Sequence, residues 1–443
     1  MTQIKRFIAL LAIIATTCTA TAQTNGCNSS YSRFGLGTLC DQSQGQNRGM
    51  GGVAQGLRNP IQVNMQNPAS YSAIDSLTFI FDAGMTMQTG RLTGNKTSIN
   101  VLNAMLDYVN TGFRIRRGLG MSVGFVPYAN IGYNFSETHP VGNSYTTGQA
   151  ITSKTTYYGN GGLHQMYMGI GWNPFAGLSV GANIGYLWGT YSNSLAQQFY
   201  EGNSATSSTN YSTQNEDWSS EVRSYKADIG VQYPIQIDKD NLLTVGATVG
   251  IGHKIGSTVT MLRYTSQGDT IERKADKAFE LPYTVSSGLT WQKMGQKGGQ
   301  LTVGADYAIQ LWDGCRLPIS QSTATNTDIV LSTEQYQNMH RATVGADYIH
   351  NPYGKYLERM HFRVGASYTT AYAKVNGTNG PSEMRLTAGT ALPLKTGTRS
   401  LINVSLEWLL RNPSVKNQIR ENYFMVHMGI TVNEAWFMKR RFQ

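Results

Sequence analysis

The seven histidines, with the serines, aspartates and cysteines scattered among them, are the residues of this chain that could do acid–base, nucleophilic or metal chemistry. Their spacing does not suit it. No H-E-x-x-H sets two imidazoles and a carboxylate on one helix face, and no Cys/His run has zinc spacing. The Gly-rich run Arg48-Gly49-Met50-Gly51-Gly52-Val53-Ala54 matches neither G-x-x-x-x-G-K-[ST] nor G-x-G-x-x-G, so a phosphate cradle is rejected. His427 reads as a hydrogen-bonding group rather than a general base. The expectation is a non-enzyme that needs no metal or cofactor.

Other residue types do recur at fixed spacing. Thr-Val-Gly-Ala-Asp-Tyr stands at 302–307 and again at 343–348, with Val-Gly-Ala variants at 180–183, 245–248 and 364–368. Gly and Asp are poor strand residues. Their neighbours nevertheless alternate as strands do. From Leu301 to Leu311 one face is Leu, Val, Ala, Tyr, Ile, Leu and the other Thr, Gly, Asp, Ala, Gln. Ile402, Val404, Leu406, Trp408 and Leu410 oppose Asn403, Ser405 and Glu407. Met121 to Phe135 gives an apolar odd-numbered face against Ser122, Gly124, Val126, Tyr128, Asn130, Gly132 and Asn134. Such runs exceed the roughly 5–6 residues of a soluble strand and match the roughly 9–11 of a membrane-spanning one. The fold class expected is all-β, a transmembrane antiparallel barrel of about 14 strands. Gly and Asp then face a polar lumen.

The N-terminus supports export. Lys5 and Arg6 precede an apolar run from Phe7 to Ala15, and Ala20-Thr21-Ala22 is a small-x-small cleavage site, so 1–22 reads as a signal peptide. No later stretch approaches the roughly 18 apolar residues of a membrane helix. Hydrophobic content of 40% and a mean hydropathy of −0.30 suit a barrel, half of whose strand residues are polar. The net charge of +10 is carried by dispersed residues, charged types being 14% of the chain, which argues against nucleic acid. Tyr 25 and Trp 7 fit interfacial aromatic girdles. Of the cysteines left after cleavage, Cys27 and Cys40 either form one bridge in an oxidising periplasm or remain thiols, and Cys315 is left over.

Fourteen strands fit near 76–88, 103–116, 119–136, 162–173, 178–195, 218–236, 242–262, 280–293, 301–314, 339–350, 360–374, 383–394, 400–411 and 422–437. Compact turns at 117–118, 173–177, 237–241 and 395–399 alternate with long polar connections at 137–161, 196–217, 263–279 and 315–338, the layout of an outer-membrane barrel. The domains expected are a signal peptide (1–22), an N-terminal luminal or periplasmic plug (23–75) and a barrel (76–443). The tail Trp436-Phe437-Met438-Lys439-Arg440-Arg441-Phe442-Gln443 is similar to the aromatic last strand that the barrel-assembly machinery recognises, although Gln443 follows the final Phe442.

Residues 23–75 hold Ser32-Arg33-Phe34-Gly35-Leu36-Gly37, the Gly-rich run at 48–54 and Asn67-Pro68-Ala69-Ser70-Tyr71. This order, with Asn-Pro-Ala just before the first strand, resembles the FadL/TodX family of outer-membrane hydrophobic-compound transporters. Gly120-Met121-Ser122-Val123-Gly124-Phe125-Val126-Pro127-Tyr128 is similar to that family's third strand. The resemblance implies a hatch, a lumen pocket for apolar molecules such as long-chain fatty acids, and lateral exit at a strand kink. Outer-membrane lipids are then its surroundings and the Gram-negative cell outer membrane its location. PorV-like proteins of that fold serve as scaffolds or secretion-associated partners, the competing expectation. From the residues alone, a lumen of this width needs filling. Arg33, Arg48 and Arg58 are expected to pair with inward carboxylates, by parity Asp82, Asp228, Asp306, Asp347 and Glu407. On the resemblance, the ligand pocket and gate are expected at Phe34, Leu36, Met50, Asn67, Pro68, Ala69, Val126, Pro127 and Tyr128. Pro127 cannot donate to a ladder, so a bulge or gap is expected there.

Overall fold

The computed structural model describes residues 27–434, apart from 77, 95–96, 146–147, 176, 202–212, 296–297, 323–326, 395–398 and 416–417. The signal segment 1–22, residues 23–26, most of the 395–399 turn and the tail 436–443 lie outside or largely outside that range.

Fourteen wall strands run antiparallel: β1 (Phe79–Gly94), β2 (Thr97–Arg116), β3 (Leu119–Asn143), β4 (Ala150–Trp172), β5 (Ser179–Glu201), β6 (Gln214–Gln236), β7 (Asn241–Gly250), β8 (Tyr283–Met294), β9 (Gln300–Leu311), β10 (Met339–Ile349), β11 (His361–Thr369), β12 (Ser382–Pro393), β13 (Leu401–Asn412) and β14 (Arg420–Glu434). Each pairs with its sequence neighbours. Pairing of β1 with β14, from Phe79↔Glu434 to Thr93↔Arg420, closes the barrel and leaves neither strand as an edge.

Alternation decides which residues face lipid. On β9, Thr302 is 3% exposed and Val303 39%; on β13, Glu407 is 3% and Trp408 42%. Outward Trp172, Tyr233, Trp291, Tyr348 and Phe362 lie toward the short-turn rim, and Tyr186, Tyr283, Tyr307, Tyr368, Trp408 and Phe424 toward the other. These are two aromatic girdles with an aliphatic band between them.

The long polar connections are largely strand. β3 has 25 residues, and β4, β5 and β6 have 23 each, so 137–161 is mostly ladder rather than loop. The 263–279 stretch joins a hairpin of Ser257–Thr265 with Thr270–Asp276, and the 315–338 stretch holds one of Leu317–Ser322 with Thr327–Ser332. Above the membrane water solvates both faces of a ladder. Thr, Ser and Tyr then form strands without the apolar alternation that marks a spanning segment.

Residues 27–75 pack against inward wall residues. They include a 3-10 turn (Ser30–Arg33), a two-residue strand (Thr38–Leu39), one helical turn (Gly45–Gly49) and a second 3-10 turn (Pro68–Ala73). Val63, Met65, Tyr71 and Ile74 form an apolar cluster with the wall residues Ile80, Tyr108, Val126 and Tyr167. A second cluster lies toward the long-loop end. There Leu36 packs with Trp312 and Tyr336, and Tyr372, three residues past β11, completes a cluster of three rings, with Trp312–Tyr372 at 4.7 Å and Trp312–Tyr336 at 5.2 Å.

Candidate functional site

The recurrent glycines are the footprint of the N-terminal segment. A Cβ on Gly345 would lie 2.2 Å from the Met50 carbonyl oxygen, and one on Gly246 1.9 Å from that of Gln55. Gly304 faces Val53, Gly365 faces Met50 and Gly51, and Gly181 faces Pro68. Four of these glycines thus sit where the segment's backbone touches the wall, and Gly304 where the Val53 side chain does, contacts that any side chain would block. The aspartate of the first repeat does related work. Asp306 accepts the backbone N–H groups of Ala54 and Gln55, at 2.6 and 2.9 Å. The second, Asp347, binds Arg363 and His361, each at 2.9 Å, and accepts from Gln46.

The Asn-Pro-Ala box is structural by its contacts. Asn67 Oδ1 accepts from Ala69 N to cap the 3-10 turn, and its amide donates to the Gln55 carbonyl. Pro68 sits against Gly171, Gly181 and Gly230. Met50, Asn67, Ala69, Leu36 and Val126 are fully buried, and none lines a cavity described below.

Charges lock the segment to one side of the wall. Arg48 contacts Asp107 at 3.5 Å and His427 at 2.9 Å, while His427 reaches Glu407 at 3.0 Å. Asp41 holds Arg341 and Arg385, and Glu383, Arg411 and Glu421 continue the chain. Burial alone would raise the Asp41 carboxyl, but the guanidiniums of Arg341, Arg385 and Arg48 hold it well below the ordinary carboxylate range. Of the three arginines expected to meet carboxylates, Arg48 does so. Arg33 instead lies 3.9 Å over the Tyr157 ring, and Arg58 donates to Ser179 and Ser72. Asp82 accepts from Thr431 and Tyr108, and Asp228 pairs with Lys226 on its own strand. The sequence reading missed Asp41, Asp107, Arg341, Arg363, Arg385 and Arg411. Inward parity marks the four arginines, and only the fold shows what they meet.

Cys27 and Cys40 are thiols here, both lining one small cavity, with Cys27 Sγ 3.8 Å from Thr38 Oγ1. The string G-x-S-x-G, which can mark a catalytic serine, occurs at 120–124 and 177–181. Neither copy is a strand-to-helix elbow. Ser122 bonds the Tyr167 hydroxyl and Ser179 receives Arg58.

Pro127 marks the most unusual feature of the wall. β2 pairs with β3 only from Arg116↔Leu119 to Val109↔Phe125. Beyond that β2 runs back to Thr97 and β3 on to Asn143, with no β2–β3 pairing among the described residues. The β3–β4 register slips between Pro127 and Ala129. This bulge reverses the faces, so Ala129, Ile131 and Tyr133 turn inward where unbroken alternation would put Asn130, Gly132 and Asn134. On the β2 side of β3, Thr38–Leu39 pairs with Asn130 and Ala129, Cys40 N donates to Tyr128 O, and Ser32 Oγ accepts from Gly132 N.

Three cavities line up at this seam. The first, about 270 Å³, lies in the lumen among Tyr31, Phe34, Leu39, Tyr128, Tyr372 and the charged Asp41, Arg341 and Arg385. The second, about 80 Å³, shares Thr38, Leu39, Cys40, Asp41, Arg385 and Arg411 with it. The third, about 950 Å³, opens on the wall beside Phe125, His164, Met166, Tyr186 and Trp188, and shares Met105, Pro127 and Asn130 with the second.

Fold and site define an outer-membrane β-barrel of fourteen strands with a seam beside a proline bulge. The chain belongs to the BamG family, whose model matches residues 3–443. Among solved structures it is similar to the CymD monoaromatic hydrocarbon channel, at 15% identity and TM-score 0.56 over 90% of this chain and 99% of that one. It is similar also to the Ralstonia pickettii toluene transporter TbuX, at 16% and 0.56 over 88% and 98%. A Pseudomonas aeruginosa FadL homologue aligns at 11% and 0.57 over 91% and 99%. At these identities the likeness is one of fold. No curated protein sequence matches the chain.

Proposed function

We propose that this protein passes apolar small molecules, long-chain fatty acids among them, passively through the outer membrane, from the lumen cavity to the wall at the β2–β3 seam. The observation that carries this reading is the series of three cavities, in which each shares residues with the next and the last faces lipid. Tyr31, Phe34 and Tyr128 give the lumen cavity an apolar side, and Asp41, Arg341 and Arg385 an orienting polar one, the usual composition of a small-molecule site. Solved proteins of similar fold are toluene transporters and a monoaromatic hydrocarbon channel, which supports the class of cargo. The segment 27–75 acts as the hatch. Leu39 lines both inner cavities, so Leu39→Trp tests the route. Uptake of a radiolabelled fatty acid and of toluene should fall at least tenfold while the barrel keeps its heat-modifiable mobility. Unchanged uptake of both overturns the route.

A second reading, a PorV-like scaffold, is favoured by the height of β3–β6, which stand well above the spanning band. Its partners would be an outer-membrane or secreted protein, or the barrel-assembly machinery. Site-specific photo-crosslinking in cells from Tyr158, exposed on β4, tests it. A defined partner lost together with its function in a deletion strain supports the scaffold.

A further inference from the structure

Where β14 meets β1, two arginines stand side by side on the outside of the barrel. The register sets Arg91 opposite Asn422 and Thr93 opposite Arg420. Arg91 and Arg420 are therefore diagonal neighbours on one face, roughly 7–8 Å apart at the backbone. Both are exposed, while Leu92 and Glu421 between them turn inward. Arg91 donates to Ser98 Oγ at 3.0 Å, and among the described residues neither guanidinium has an ion-pair partner.

The surrounding charge is one-sided. Strands β1, β2, β12, β13 and β14 carry Asp82, Asp107, Glu383, Glu407 and Glu421, and all five turn into the lumen, where arginine or hydrogen-bond donors hold them. Glu434 is exposed, but at the opposite rim. The outer face at this end therefore carries two cations and no described carboxylate. Like charges so close repel, and an anion between them removes that cost.

The height of the pair says which anion. From Phe81, in the lower part of the band, the outward residues of β1 are Ala83, Met85, Met87, Thr89 and then Arg91. Ten residues at about 3.3 Å and a tilt near 40° rise roughly 25 Å, the height of the apolar band of such barrels. Phe424 lies opposite Thr89 and Trp408, one step below the arginines, and Trp408 Nε1 donates to Asn422 Oδ1 at 2.7 Å. The pair thus stands on the girdle, at the level of lipid phosphates. Apolar wall lies below it for acyl chains and water above.

We propose that Arg91 and Arg420 clamp the phosphate of a phosphorylated glycolipid in the outer leaflet. Guanidinium suits this task, because its fork of N–H donors matches phosphate oxygens two at a time. Asn422 and Ser98 supply the flanking polar groups. The acyl chains lie along Met87, Phe424 and Trp408. The clamp is independent of the cavity route and stands whether the protein transports or scaffolds.

The test is native mass spectrometry of the full-length purified protein with bis-phosphorylated lipid A, the same glycolipid stripped of phosphate, and inorganic phosphate. The expected result is one lipid A per barrel, with at least tenfold less binding of the dephosphorylated form. The Arg91→Gln/Arg420→Gln double variant should lose the adduct at least tenfold, while Arg91→Lys/Arg420→Lys keeps part of it. Arg399→Gln, at the opposite rim, should bind as the parent does, and heat-modifiable mobility confirms that each barrel is folded. Equal binding of lipid A by the Gln double variant overturns the clamp. So does equal binding of the dephosphorylated lipid. Displacement of lipid A by millimolar inorganic phosphate would reduce the site to a general anion site and overturn the lipid assignment.

Discussion

Arg363 shows what a single residue does in this lumen. It is 2% exposed and reaches both Asp347, at 2.9 Å, and Asn403, at 2.7 Å. Replacing it with Ala leaves the buried Asp347 carboxylate only His361 and Gln46, and breaking such a pair from one side costs up to about 3–5 kcal/mol. Arg363→Ala should lower the urea midpoint of the vesicle-inserted barrel accordingly, and a midpoint within error of the parent would refute the pairing. The glycines act by absence. Gly345→Val drives a side chain into the Met50 carbonyl, so residues 27–75 should become cleavable by trypsin while the wall strands stay protected. Equal protease resistance of that segment would show that the contact is dispensable. Neither role was fully legible in the sequence. The Val-Gly-Ala repeats announced inward glycines, because period 2 is a local property. What those glycines touch lies 113 to 315 residues away along the chain (Gly181 against Pro68, Gly365 against Met50), a distance no local pattern encodes.

At the scale of the element, β3 separates what alternation can predict from what it cannot. Alternation placed this strand correctly up to Tyr128 and wrongly beyond, because one bulge residue exchanges the two faces. Proline announced the fault without saying which way the following residues would turn. The upper halves of β3–β6 were legible only as polar stretches, since their pairing is decided by neighbours rather than by an apolar face. Pro127 also lacks the N–H that would extend the ladder. Pro127→Val restores that donor, lets β3 run straight and favours further β2–β3 pairing across the seam. Uptake of an apolar probe should fall several-fold with unchanged barrel yield. Transport at the parental rate would remove Pro127 from the gate.

At the scale of the molecule, two closed systems are nested. The wall closes on itself through β1 and β14 without help from residues 27–75, and those residues are held by the charges of Asp41, Arg48, Arg341 and Arg385. Asp41 makes that hold depend on pH with a definite sign. Its folded carboxyl is held well below the ordinary value near 3.9, so its contribution is fully present above that ordinary value and is lost as pH falls through the folded one. Hydrogen-exchange protection of residues 27–75, corrected for the intrinsic pH dependence of exchange, should therefore stay level from neutral pH down to about 4 and decline only below it. Asp41→Asn should lose protection already at pH 7, with a smaller further decline in acid, because the carboxyl that titrates is gone. The wall should keep its heat-modifiable mobility in both proteins across the same range. Parallel loss of wall and segment would mean that the two unfold as one unit, and the picture of an independent barrel around a charge-held hatch would fail.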